Sequence, residues 1–157
     1  MHGSLTYFPA ALERLGTGYA VAGLSVGVFG LGVVVASRWV QTSGWSRRRM
    51  MVVGGAALTG ALTIAAVEPG IPGMLIAAVL LGAGFAATHA PLQAWATSVA
   101  PQGRTIAVAF FVGGALAGAA AVTALGSASA SAGDFGVLFG VAAVVALAFT
   151  LALTRRT

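Results

Sequence analysis

From Pro69 to Gly103 the chain carries no Asp, Glu, Lys or Arg. An α-helix needs only ~20 residues to cross ~30 Å of hydrocarbon, so this single run is long enough to span a bilayer. Composition extends the point to the whole chain. Only 7% of its 157 residues are charged and 59% are hydrophobic, whereas soluble domains are roughly 25% charged. A water-soluble globule of this size needs a polar exterior that these residues cannot supply. The expected fold class is therefore all-α, a polytopic transmembrane bundle with the lipid bilayer as its first partner. There is no Cys, which removes disulfides and thiol chemistry. The start, MHGSLTYF, has neither the basic flank nor the short apolar region of a cleaved signal peptide.

About five spans follow from the charge-free runs. The expected helices cover about 17–38, 50–67, 72–98, 105–126 and 135–154, in one transmembrane domain. A short amphipathic lead-in precedes them, with Tyr7, Phe8, Glu13 and Arg14, and SASASAGD is expected as a polar loop before the last span. Pro72 suits the first turn of the third span, where its missing N–H costs nothing. Charge provides an independent test of this count. Arg38, Arg47, Arg48, Arg49, Arg104, Arg155 and Arg156 all fall at one end of the bundle. Glu13, Glu68 and Asp134 fall at the other, with Arg14. A wrong number of spans would scramble this sorting. Basic residues mark the cytoplasmic face, so the N-terminus is expected outside and the C-terminus inside, in the cell (inner) membrane. The net charge of +5 is thereby explained by topology, and no nucleic acid is expected as a partner.

Small residues recur at helical spacing. Gly23 and Gly27, Gly114 and Gly118, and Gly136 and Gly140 each share one helix face. Such pairs let backbones approach where lipid offers no hydrophobic drive, so these faces are expected to pack.

The third span holds His89, with Phe85 four residues before it and Gln93 four after it, on one helix face. Counting from Pro72, His89 lies ~25 Å below the outer surface, somewhat past the midplane. Pro91 cannot donate to the carbonyl of Ala87, which frees an acceptor nearby. Ionisable groups within spans mark pathways for polar cargo, and His titrates near neutrality. The alternative is a His that packs and is bonded to a hydroxyl of a neighbouring helix. Both readings stay open on residue type and spacing alone.

Other patterns carry less. Gly23-Leu24-Ser25-Val26-Gly27 matches the G-x-S-x-G form of serine hydrolases, but Ser25 lies ~10 Å deep against ~25 Å for His89, so a nucleophile–base pair is not expected. Gly82, Gly84 and Ala87 imitate a dinucleotide fingerprint without the preceding strand or the following acid. No second His, acid or thiolate accompanies His89 in a span, so neither a metal nor another cofactor is expected, and the chain is not read as an enzyme. Arg47, Arg48 and Arg49 read as a topology anchor near anionic lipid.

In order, these features resemble the last five helices of the twelve in the major facilitator superfamily of transporters. GAGFAATHAPLQAWATSVAPQGRTIAVAFF is similar to its tenth helix, the short turn with prolines and an arginine (here Arg104), and the start of its eleventh. TYFPAALERLGTGYAVAGLSVGVFGLG is similar to the outer end of the seventh helix leading into the eighth. SRWVQTSGWSRRRMMVVGG sits where the family repeats a loop signature of a glycine, an aspartate and a basic cluster. Gly44 and Arg47–Arg49 fit it; Thr42 and Ser43 stand where the aspartate would be. The resemblance implies a secondary transporter of a small molecule of unknown identity. It also implies that His89, Gln93 and Phe85 face a central cavity. The family's path runs between two six-helix halves, so the chain is expected to be a C-terminal fragment that needs an N-terminal half, or else a homo-oligomer. The alternative is a standalone five-helix scaffold or assembly subunit with no transport activity.

Overall fold

The computed structural model describes residues 2–154; Arg155 and Arg156, assigned above to the cationic end, lie outside the described residues. Two short helices, α1 (His2–Leu5) and α2 (Tyr7–Arg14), precede five long ones: α3 (Tyr19–Thr42), α4 (Arg47–Val67), α5 (Ile71–Ser98), α6 (Arg104–Ala132) and α7 (Phe135–Thr154). The described residues form no strand, and all five long helices are long and apolar enough to cross a membrane. The chain is an all-α transmembrane bundle.

The ends of these helices follow from local chemistry. The α4 helix begins at Arg47 because the Ser46 hydroxyl accepts the backbone N–H of Arg49, an N-cap that draws all three arginines into the first turn. Helix α3 runs to Thr42, past the expected end near residue 38. The Thr42 hydroxyl donates to the carbonyls of Arg38 and Trp39, and that of Ser43 to Val40, which satisfies the last turn. The largest departure is SASASAGD. Expected as a loop, its serines and alanines instead extend α6 to Ala132. The Ser127 hydroxyl donates to the carbonyl of Ala124 within the helix, so it does not compete for the backbone as a turn serine would. The stop is Gly133, whose φ of 85° is left-handed.

At the centre lies α5, packed along α3 on one side and α4 on the other, with α7 on the far side of α4. Backbones meet where glycines allow it. A Cβ on Gly84 would lie 2.7 Å from the Gly54 carbonyl oxygen, and one on Gly32 or Gly82 would run into the backbone of Val79 or Phe29. The glycine pairs singled out by spacing behave differently. Among the described residues, a Cβ on Gly23, Gly27, Gly114, Gly118 or Gly140 would meet nothing within 4 Å, and one on Gly136 only the carbonyl of Ala66. Spacing marks a smooth face but does not say what lies against it. Those of α3 and α6 point out of the described bundle.

The buried core is lopsided. Phe8 and Leu12 of α2 pack with Leu58, Leu62, Met74, Leu81 and Phe139, all in the half of the bundle nearer Glu13, Glu68 and Asp134. The amphipathic lead-in is thus a core element, and Phe8 is fully buried. Helix α6, by contrast, has no buried residue. It is held near its C-terminus. Tyr7 Oη donates to the carbonyl of Thr123, and the Arg14 guanidinium donates to those of Ser131 (2.9 Å) and Ala130 (3.4 Å). A cation there also complements the helix dipole. Gly133 sits against this guanidinium, and a Cβ would occupy the place of Nη1. We expect Gly133→Ala to cost about 1 kcal/mol through the left-handed backbone, with further loss as Arg14 is displaced. Thermal unfolding in detergent checks this against Gly140→Ala, where space is open and Ala is the better helix former.

Candidate functional site

The long axis of α5 carries an aromatic and polar seam. Phe85 and His89, one turn apart, have ring centroids 4.7 Å apart. His89 in turn lies 5.1 Å from Phe111 of α6, and Phe85 lies 6.1 Å from Phe29 of α3. The imidazole is therefore held between two phenyl rings from different helices. It is half-buried, as are Phe85 and Gln93. Phe29 and Phe111 were not singled out in the sequence. Phe110 and Phe111 are adjacent there, and only packing separates them: Phe110 is 78% exposed, while Phe111 turns toward His89.

Around this seam α5 manages its own backbone. It continues without a break through Pro91, which cannot bond the Ala87 carbonyl. The Thr88 hydroxyl is buried and donates to the carbonyl of Gly84 at 2.8 Å. Beyond Gln93, the Thr97 hydroxyl donates to the carbonyls of Gln93 and Ala94. The seam thus offers one imidazole among aromatic rings and, one turn along, one carboxamide, a surface suited to a molecule with an apolar body and few polar groups.

Ser25 does not join it. Its hydroxyl is fully buried and donates to the carbonyl of Ala22 at 2.7 Å, so it is a packed, satisfied serine. Among the described residues, no three His, Cys, Asp or Glu side chains come together as a metal site would require.

The loop residues gather at the opposite end from the acids. Gly44 turns the chain with φ 62°, a conformation glycine adopts without strain. The Arg49 guanidinium lies 4.3 Å over the Trp45 ring, and Trp45 packs edge-on against Trp39 at 4.3 Å. Arg47, Arg48 and Arg104 are exposed. Thr42 and Ser43, in the place of the loop aspartate, spend their hydroxyls on the end of α3. They supply no charge to pair with the arginines.

Comparison with known families decides what this architecture is. The family model of the Major Facilitator Superfamily matches residues 3–157. The chain belongs to the major facilitator superfamily. It is accordingly a multi-pass membrane protein of a transporter family. No curated protein and no solved structure matches it. The superfamily match takes in α1 and α2, so these short helices are part of the superfamily domain. Their burial against α3, α5 and α6 agrees with that.

Proposed function

We propose that the chain supplies walls of the C-terminal half of a secondary transporter, with His89, Gln93 and Phe85 facing the path of a small molecule. The observation that carries this reading is the seam itself: an imidazole half-exposed on a membrane-spanning helix between Phe85 and Phe111, with Phe29 beyond Phe85 and the half-exposed Gln93 carboxamide one turn further along. Polar groups at that depth are costly unless they serve a path or a partner. The outward glycine faces of α3 and α6 support close packing of further helices there, so transport requires an N-terminal half. The sorting of arginines from acids supports an outside N-terminus and a cytoplasmic C-terminus.

The test is functional complementation. The chain and a six-helix N-terminal half are expressed together, reconstituted in vesicles and assayed for proton-driven flux of candidate solutes between about pH 5 and 7, the range in which His titrates. Flux is expected from the pair and not from either part. His89→Gln keeps much of the side chain's shape and removes the titratable group, so it is expected to flatten the pH profile while normal protein levels are retained. An unchanged profile at normal levels would assign His89 to packing. A chain that is monodisperse alone, and gains neither stability nor flux from the second half, would instead be a scaffold.

A further inference from the structure

At the arginine-rich end, a groove of about 660 Å³ opens between the end of α3, the start of α4 and the end of α5. Its lining mixes apolar and polar chemistry. Val40, Met50, Pro91 and Ala94 supply apolar surface, and Gln41, Arg47 and Ser98 supply polar groups. We propose that this groove is a binding site for an anionic glycerophospholipid, with the phosphate at Arg47 and one acyl chain along the apolar surface.

Three observations favour this occupant. The first is charge. Arg38, Arg48, Arg49 and Arg104 lie at the same end as Arg47, while Glu13, Glu68 and Asp134 all lie at the other. An anion entering the groove meets cations without a competing carboxylate, and each Lys or Arg near a membrane surface contributes to holding anionic lipid. The second is depth. All three tryptophans of the chain, Trp39, Trp45 and Trp95, sit at this end, and Trp marks the headgroup level of a bilayer. The groove thus lies where a headgroup passes into acyl chain. The third is shape. Gly44, in its left-handed turn, is part of the lining and contributes no side chain to it. A soluble anion would use Arg47 but leave the apolar surface wet, so a molecule with both parts fits better.

The tryptophans also provide the assay, because emission excited selectively from tryptophan reports on this end alone. The full chain is reconstituted in phosphatidylcholine bilayers, and a fixed fraction of brominated phosphatidylglycerol or brominated phosphatidylcholine is added. Stronger quenching by the phosphatidylglycerol is expected, and Arg47→Gln is expected to lower that preference about fivefold, the effect of one interfacial cation. Ala94→Phe, which fills the groove and leaves every arginine in place, is expected to abolish it and guards against a folding defect in the first variant. Equal quenching by the two lipids in the wild-type chain would overturn the proposal. So would a preference that survives Ala94→Phe, since that would mean a diffuse cationic surface. Relief of quenching by millimolar inorganic phosphate would assign the site to a free anion and overturn it as well.

Discussion

Gly82→Val is expected to abolish most of the correctly folded protein. Any side chain at this position meets backbone, the carbonyl of Phe29 and the amide nitrogen of Val33 at 3.0 Å. Side chains can rotate out of the way, but helix backbone cannot. The only relief is to push α3 away from α5, which opens the seam along which the central helix is seated. Overpacking usually costs 1–3 kcal/mol, and this case belongs at about 3 or above because the obstruction is main chain. Yield of monodisperse protein and its thermal midpoint in detergent are the measurements. Gly23→Val serves as the reference, since that glycine has nothing within 4 Å. A normal midpoint for Gly82→Val would mean that α3 and α5 do not approach as described.

Phe139→Ala is expected to be the most damaging truncation in the core. Phe139 is fully buried and joins α7 to α2 through an edge-on contact with Phe8 at 5.1 Å, with Phe135 stacked at 6.4 Å. In a soluble protein the loss would be about 3–5 kcal/mol. Here the transfer part is largely absent, because a separated helix would place the ring in lipid rather than water. The cavity and the lost dispersion contacts remain, leaving about 2 kcal/mol. Denaturation from detergent micelles should show this shift, and Phe110→Ala, at a ring 78% exposed, should show almost none. Equal effects from the two variants would contradict the placement of the core.

Much of the architecture was legible because charge is so sparse. The runs between Arg38, Arg47–Arg49, Glu68, Arg104 and Asp134 leave little freedom in placing five spans, and the family resemblance agrees with the superfamily match. Helix ends were less legible. Serine reads as loop in the abstract, yet Ser127 bonds within its own helix, and the true stop is the left-handed Gly133. Glycine faces were legible as faces only: Gly114 and Gly118 look outward, while Gly54 and Gly84, on neighbouring helices, touch. In the candidate site, the Phe85–His89–Gln93 spacing follows from helix periodicity. The arrival of Phe111 beside His89 could not be read, since it depends on how α6 leans on α5.

The attachment of α6 has a mechanical consequence. Gly3, Tyr7 and Arg14 grip it over its C-terminal half, between Ala119 and Ser131, whereas at the Arg104 end the short turn after Ser98 ties it to α5, with the ring contact of Phe111 and His89 a little further along. A rod held at both ends and touched at one point between them yields most in the stretch between its supports. From Thr123 to the contact at Phe111 is ~18 Å at 1.5 Å per residue. Sparse apolar burial makes displacement of such a segment inexpensive. The stretch between Phe111 and Thr123 is therefore the part of α6 that can bow most easily while both of its ends stay attached.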